Sequence, residues 1–253
     1  MNLRARRATV LLVLVAAAAT GCGSTASPAA SSAPAASPSP SPSPSPNPAA
    51  IATRSPAASP SPSPSAAIAT TGRIVNAAEG YALTLPAGWV RLDPNPASMD
   101  AYLNSLNGAR PEARQLVEAA AAAFRSGLAI FLAFDTSSLT LKSFSDLAVI
   151  RAPSSGLTLE GLLPLTAGQL KTVPSIVQPI RTSIVTLPAG KAGKLVYAIQ
   201  MPAAGLGTIT ITAIQFVVIK ASSMYVITFG TTAPLKTREA VLTGIANTFE
   251  VLP

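Results

Sequence analysis

Between Ser37 and Pro46 serine and proline alternate without a break, and the pattern returns from Ser59 to Ser65. Of the 24 prolines in the chain, 12 fall between Gly23 and Gly72, a stretch with a single charged side chain, Arg54. Each proline fixes its own φ, removes a backbone donor and drives the residue before it toward extended conformations. A tract made largely of Ala, Ser and Pro also has too little apolar surface to offset the chain entropy lost on folding. The segment therefore belongs to no sheet or helix, and it divides the 253 residues into 1–21, 22–72 and 73–253. It reads as a disordered, solvated stalk of polyproline-II character, about 3.1 Å per residue where extended and on the order of 150 Å at full stretch. Pure Ser-Pro lacks the flanking basic or aromatic residues by which proline-rich ligands are discriminated, which favours a spacer over a recognition motif.

The last 181 residues form one domain, and a domain near that size buries roughly 70% of its unfolded surface, so it needs no metal or disulfide staple. The formal charge of +8 is less than it looks, because Arg4, Arg6, Arg7 and Arg54 precede that domain, leaving 14 basic against 10 acidic residues. These are scattered singly, with Lys191 and Lys194 the nearest approach to a cluster. A nucleic-acid surface needs a basic stripe with stacking aromatics, and neither is present, so no nucleic-acid partner is expected.

The chain contains no histidine and one cysteine, Cys22. That excludes an imidazole base, a His-containing triad, a His-ligated metal, an intramolecular disulfide and a cysteine zinc site. No lysine has a serine three residues before it, which removes the simplest cue for a Ser–Lys acylase. Gly190-Lys191 is followed by Ala192 and has no glycine five residues earlier, so it is no phosphate-binding loop. Glu112 and Glu118 are six apart on a helix, about 600° of rotation, and do not share a face. Two aspartate pairs remain, Asp93 with Asp100 and Asp135 with Asp146, each flanking a loop where a cation or a carboxylate pair is conceivable. Loop aspartates more often cap turns. No catalytic residue, cofactor or metal is assigned.

Ahead of the stalk, MNLRARR carries three arginines and is followed by ATVLLVLVAAAA, twelve residues without a charge. That run is shorter than the ~20 residues that span a bilayer. A basic start, a short apolar stretch and small residues behind it describe an export signal. Ala19-Thr20-Gly21-Cys22 resembles the processing site of a bacterial lipoprotein precursor, with Ala19 where that family usually has leucine. The resemblance implies cleavage between Gly21 and Cys22 and lipid attachment to the Cys22 sulfur as a thioether, with acyl chains such as palmitate holding the protein on the extracytoplasmic face of the cell membrane. Two or more acyl chains, at about 0.8 kcal/mol per buried methylene, meet the two-signal requirement for durable anchoring.

Beyond residue 72, Tyr81, Leu83 and Leu85 alternate with Ala82 and Thr84 as in a half-buried strand, and Pro86-Ala87-Gly88 turns the chain before Trp89. Ser98 is the expected N-cap of a helix stopping at Gly108, with Met99, Tyr102, Leu103 and Leu106 on one face. Pro111 starts a second helix running to Gly127, with Leu116, Ala120, Ala123 and Phe124 as its stripe. LAIFLAF (128–134) and SDLAVIRA (145–152) read as strands, and a helix interrupted by Gly161 and Pro164 is expected from Thr158 to Lys171. Two hairpins follow, turning at Pro188-Ala189-Gly190 and at Lys220 to Ser223. Ile214 to Ile219 is apolar except for Gln215, as expected of a strand covered on both faces. A last helix places Leu235, Leu242, Ile245 and Phe249 together.

Hairpins and long meanders with helices interspersed give an α+β class, a mainly antiparallel sheet packed by helices. GYALTLPAGW, VTLPAGKAGKLVYAI, the pair IQFVVI and MYVITF, and the closing helix resemble the PsbP-like fold, an α/β/α sandwich, and within it the LpqN-type lipoproteins of actinobacteria. That resemblance implies assembly and binding roles. The expected function is a membrane-anchored, non-enzymatic binding or assembly module at the cell envelope, its ligand a protein, a lipid or a small molecule. A carboxylate-based envelope hydrolase and a purely structural lipoprotein are the alternatives. Ala203 to Gly207 and the loop before Ser98 are candidate pocket rims.

Overall fold

The computed structural model describes residues 71–93, 95–109, 111–140, 142–154, 156–203 and 207–253. The expected export signal, Gly21 and Cys22, and the Ser/Pro tract lie outside the described residues. The order is β1 (Gly72–Asn76), β2 (Tyr81–Leu85), β3 (Trp89–Arg91), α1 (Pro96–Ala109), α2 (Pro111–Arg125), β4 (Phe131–Asp135), β5 (Ser145–Pro153), α3 (Leu159–Leu170), β6 (Ile176–Leu187), β7 (Gly190–Ala203), β8 (Gly207–Lys220), β9 (Ser223–Thr231), α4 (Leu235–Ala246) and β10 (Glu250–Val251). Seven strands form one sheet in the order β3-β4-β5-β9-β8-β7-β6, and β1-β2-β10 form a second. Every described pairing is antiparallel. The fold is α+β, as the hairpin-rich sequence predicts.

Local chemistry places the hairpins. Leu187 pairs with Gly190 across Pro188-Ala189, and Lys220 with Ser223 across Ala221-Ser222, so both turns have two residues. The second requires a positive φ, and Ala221 supplies it at 51°, a conformation that favours glycine. In α3, Thr158 caps the N-terminus by accepting the Gly161 amide at 3.3 Å. Gly161 and Pro164 are poor helix interior residues, and the helix is held by tertiary burial of Leu159, Leu163 and Leu170.

Helix α1 departs from expectation at both ends. It starts at Pro96, with the Asn95 side chain accepting the Ala97 amide at 2.9 Å, so Asn95 and not Ser98 caps it. Asp93 in turn accepts the Asn95 amide at 2.9 Å. Gly108 lies inside the helix, which continues to Ala109. The strand expected from Leu128 starts at Phe131. Phe249 lies beyond α4 and is still buried, its ring stacked on Tyr81 at 5.7 Å between centroids.

The large sheet is covered on both faces. On the first face, Phe131, Leu147, Phe216, Tyr225 and Phe229 pack with Tyr81 and Leu83 of the small sheet and with Leu242 and Ile245 of α4. Each such side chain, fully buried, contributes about 1.5–3 kcal/mol. On the second face there are two separate covers. The α1–α2 hairpin lays Met99, Leu103, Val117 and Phe124 on Leu132, Phe134 and Ala148. Helix α3 lays Leu159, Leu163 and Leu170 on Leu195, Tyr197 and Val217. Gly193 lets α3 approach, since a β-carbon there would stand 2.7 Å from Leu163 Cδ2.

Candidate functional site

The two aspartates flanking the β4–β5 loop end on opposite faces of the sheet. Phe134 is the residue opposite Asp146, so Asp135, one step along β4, points the other way. Asp135 is 3% exposed on the first face, where its carboxylate accepts the Ser137 amide at 3.0 Å and is ion-paired with Arg238 of α4. It fastens α4 to the sheet margin and forms no dyad with Asp146. Asp93 is engaged in the turn before α1, and Asp100 pairs with Arg125 at 2.9 Å, tying α1 to the end of α2. Glu118 pairs with Arg114 one turn away at 2.7 Å. Lys194 binds Glu239 at 2.8 Å and stands 5.8 Å from the centre of the Phe216 ring, so it does not join Lys191 in a basic patch.

Asp146 is in a different position. It lies half-buried on the second face, between Phe134 of β4 and Gly230 of β9. A β-carbon at Gly230 would stand 2.3 Å from Asp146 Oδ1 and 3.4 Å from Ile211 Cγ2, so the glycine makes the room the carboxyl occupies. One row along the sheet, Gln215 Nε2 donates to Thr228 Oγ1 at 3.1 Å. Burial pushes the Asp146 carboxyl up to about 7, against the opposing pull of its own backbone amide. Among the described residues no salt bridge reaches it.

This polar row lies beside the seam between the two helical covers. Ile209 and Ile211 are half-buried and pack against both the α1–α2 cluster and the α3 cluster. The next row member beyond Ala213 is Tyr197, whose hydroxyl is buried without a hydrogen-bond partner among the described residues; burial also raises its pKa. Ala203 and Gly207 end the paired part of the β7–β8 hairpin, whose tip, 204–206, is outside the described residues.

A recess of about 230 Å³ opens on the first face, where β6 departs from regular pairing between Val177 and Arg181. Its walls are Val177, Pro179, Val196, Ala198 and Leu235, with Arg181 and Thr212 as its polar lining and Tyr197 adjoining. Leu235 opens α4, so the recess lies where the helical cover of that face begins. Sequence reasoning missed it. The available signal was Pro179 inside a run that otherwise reads as strand, since proline in a sheet marks an edge or a bulge.

No family model matches the sequence, and no curated protein matches it. Among solved structures, the chain is similar to cyanobacterial PsbP (CyanoP) from Synechocystis sp. PCC 6803, at 17% identity and a TM-score of 0.43, covering 74% of this chain and 95% of that one. It is similar to LpqN, involved in cell envelope biogenesis of Mycobacterium tuberculosis, at 14% identity and a TM-score of 0.41, covering 68% of this chain and 83% of that one. It is also similar to the Saccharomyces cerevisiae Ran-binding protein Mog1p, at 8% identity and a TM-score of 0.40, covering 72% of this chain and 96% of that one. Both groups that the sequence resembles, PsbP-like and LpqN-type, are thus among the structural neighbours. Among the described residues no helix is long and apolar enough to cross a membrane.

Proposed function

We propose that the protein is an extracytoplasmic lipoprotein, anchored through Cys22, whose α+β domain acts as a non-enzymatic binding or assembly module at the cell envelope. The anchor is supported by the three N-terminal arginines, the short apolar run and the small residues up to Cys22. The stalk then carries the domain away from the bilayer.

The observation that carries the binding role is the recess beside Pro179. At about 230 Å³ it is smaller than the ~300–1,000 Å³ of a drug-sized ligand site and matches one apolar side chain or the end of an acyl chain. A single apolar anchor seated in a pocket is how most interfaces concentrate their affinity. Arg181 on the lining adds preference for a group that carries negative charge beside its apolar part.

Two measurements test the two halves. Intact mass and membrane fractionation beside a Cys22→Ala variant should show a lipid-sized increment and membrane retention that the variant loses; an unmodified soluble product sinks the anchor. For the recess, a benzophenone side chain at Val177 in native membranes should give a discrete adduct, lost when Ala198→Trp fills the space. An adduct indifferent to Ala198→Trp, or none, removes the recess as the binding site.

The hydrolase alternative is left with Asp146 alone, a carboxyl that burial pushes up to about 7, since Asp135 stands on the opposite face of the sheet. Its test is glycan turnover by the wild type beside Asp146→Asn, and equal turnover by the two ends that reading.

A further inference from the structure

The seven-stranded sheet has two edges of unlike character. At one end β3 is three residues long. At the other, β6 is twelve residues long, and its two halves differ. The first half carries Pro179 and the break in register between Val177 and Arg181, both devices that keep other strands away. From Arg181 to Leu187 the pairing with β7 is unbroken. Over that stretch Thr182, Ser183, Ile184 and Thr186 are exposed, none is charged, and Ile184 is 43% exposed. Apart from Arg181 at its start, this regular, β-branched edge is uncharged, and such an edge is a template for another strand.

We propose that this segment of β6 pairs antiparallel with the same segment of a second copy, joining two domains through one continuous sheet. In a ladder closed by the two-residue turn at Pro188-Ala189, Arg181, Ser183, Val185 and Leu187 direct their backbone groups to β7. Thr182, Ile184 and Thr186 therefore direct theirs outward. One two-fold register satisfies all three in both copies: Ile184 opposite Ile184, and Thr182 opposite Thr186. It forms about six backbone hydrogen bonds. The same register sets Ser183 opposite Val185 and Arg181 opposite Leu187, so the segment's one charge never meets its own copy.

The surroundings fit a second copy. Ile184 pairs with Gly193, which faces α3, so Ile184 and α3 share the second face. The outward side of α3 carries Leu165, 56% exposed, with Gly161, Pro164 and Gly168, and the helix has one charge, Glu160. A second copy across the β6 edge brings a second α3 to the same side of the joined sheet, with no like charges opposed along the strand.

The test uses the full, membrane-borne chain with Ser183→Cys and Val185→Cys together. These positions face each other across the copies as a non-hydrogen-bonded pair, the closer kind, within disulfide reach. Mild oxidation with diamide should give a species of twice the chain mass, with 183 linked to 185 by peptide mapping, and the added Ile184→Lys should abolish it while leaving the circular dichroism unchanged. The parent chain, whose one thiol position is Cys22, is the control. A chain that stays at single mass, a linkage that maps elsewhere, or capture of β6 by a different protein overturns the proposal. Its failure leaves the recess and the anchor untouched, since neither involves residues 182 to 187.

Discussion

The carboxyl of Asp146 stands over Gly230 at a separation no side chain at 230 could share, 2.3 Å from where a β-carbon would lie to Oδ1. The acid and the glycine, 84 positions apart in the chain, are a matched pair. Gly230→Ala should destabilise the domain by about 1–3 kcal/mol, the usual cost of forcing atoms into a packed site. In an Asp146→Ala background the same substitution should cost markedly less. Urea unfolding of the four proteins of this cycle decides it; equal costs in both backgrounds would separate the two residues.

Asp146 also sets a pH dependence. Its folded-state pKa is raised from 3.8 to about 7, so the folded protein holds a proton that the unfolded chain releases at lower pH. The sign follows from linkage: the favourable contribution is present below about pH 4 and is lost as pH rises toward 7. Asp146→Asn, neutral throughout, should exceed the wild type in stability at pH 8, with the difference closing toward pH 4. Denaturation midpoints measured across that range would show parallel curves if the carboxyl were ordinary.

The Asp135–Arg238 pair should matter far more than its exposed counterparts. Asp135 is 3% exposed and holds α4, whereas the Asp100 and Arg125 side chains of the surface pair are 63% and 42% exposed. Truncating one member of a buried pair costs about 3–5 kcal/mol, and of an exposed pair about 0–1 kcal/mol. Thermal melts of Asp135→Ala and Asp100→Ala should therefore differ by several degrees at least, with Asp135→Ala the lower. Comparable melts would mean that the buried pair contributes nothing special to docking α4.

At the β8–β9 turn, Ala221 adopts φ 51° without being glycine. Ala221→Gly should raise stability by up to about 1 kcal/mol, because relief of the left-handed strain outweighs the added entropy of the unfolded chain. A denaturation midpoint unchanged or lowered by this replacement would show that the strain is absorbed elsewhere.

Close approach at Gly193 gives a further comparison. A β-carbon there meets Leu163 Cδ2 at 2.7 Å, and that contact is the end of a flexible side chain. Gly193→Ala should cost less than Gly230→Ala, about 1 kcal/mol, with the loss falling on α3. Hydrogen exchange in α3, compared with that in α1, would register it; uniform loosening across both helices would count against the assignment.

Much of this architecture can be read from residues near one another in the chain. Pro188-Ala189-Gly190 and the segment from Lys220 to Ser223 mark turns, alternation from Thr208 to Ala213 marks a two-faced strand, and Thr158 marks a helix start. These signals work because turn φ angles, side-chain parity and capping are local properties. The short strand β10 carries no such signal, since it exists by pairing with β2, and Glu250 meets Ala82 only after the chain has closed.

The candidate sites separate along the same line. Composition alone excludes histidine and multi-cysteine chemistry, and local sequence alone raises the expectation of a stalk and of a processing site before Cys22. Sequence also names Asp135 and Asp146 together as the flanks of one loop. Only the register between β4 and β5, which sets Phe134 opposite Asp146, sends them to opposite faces and leaves one tied to Arg238 and the other over Gly230. The exposure of β6 and the recess at Pro179 likewise depend on which strand ends the sheet. Strand order and register arise from long-range pairing, where a shift of one residue reverses every side chain, so tertiary structure decided them and no stretch of local sequence could.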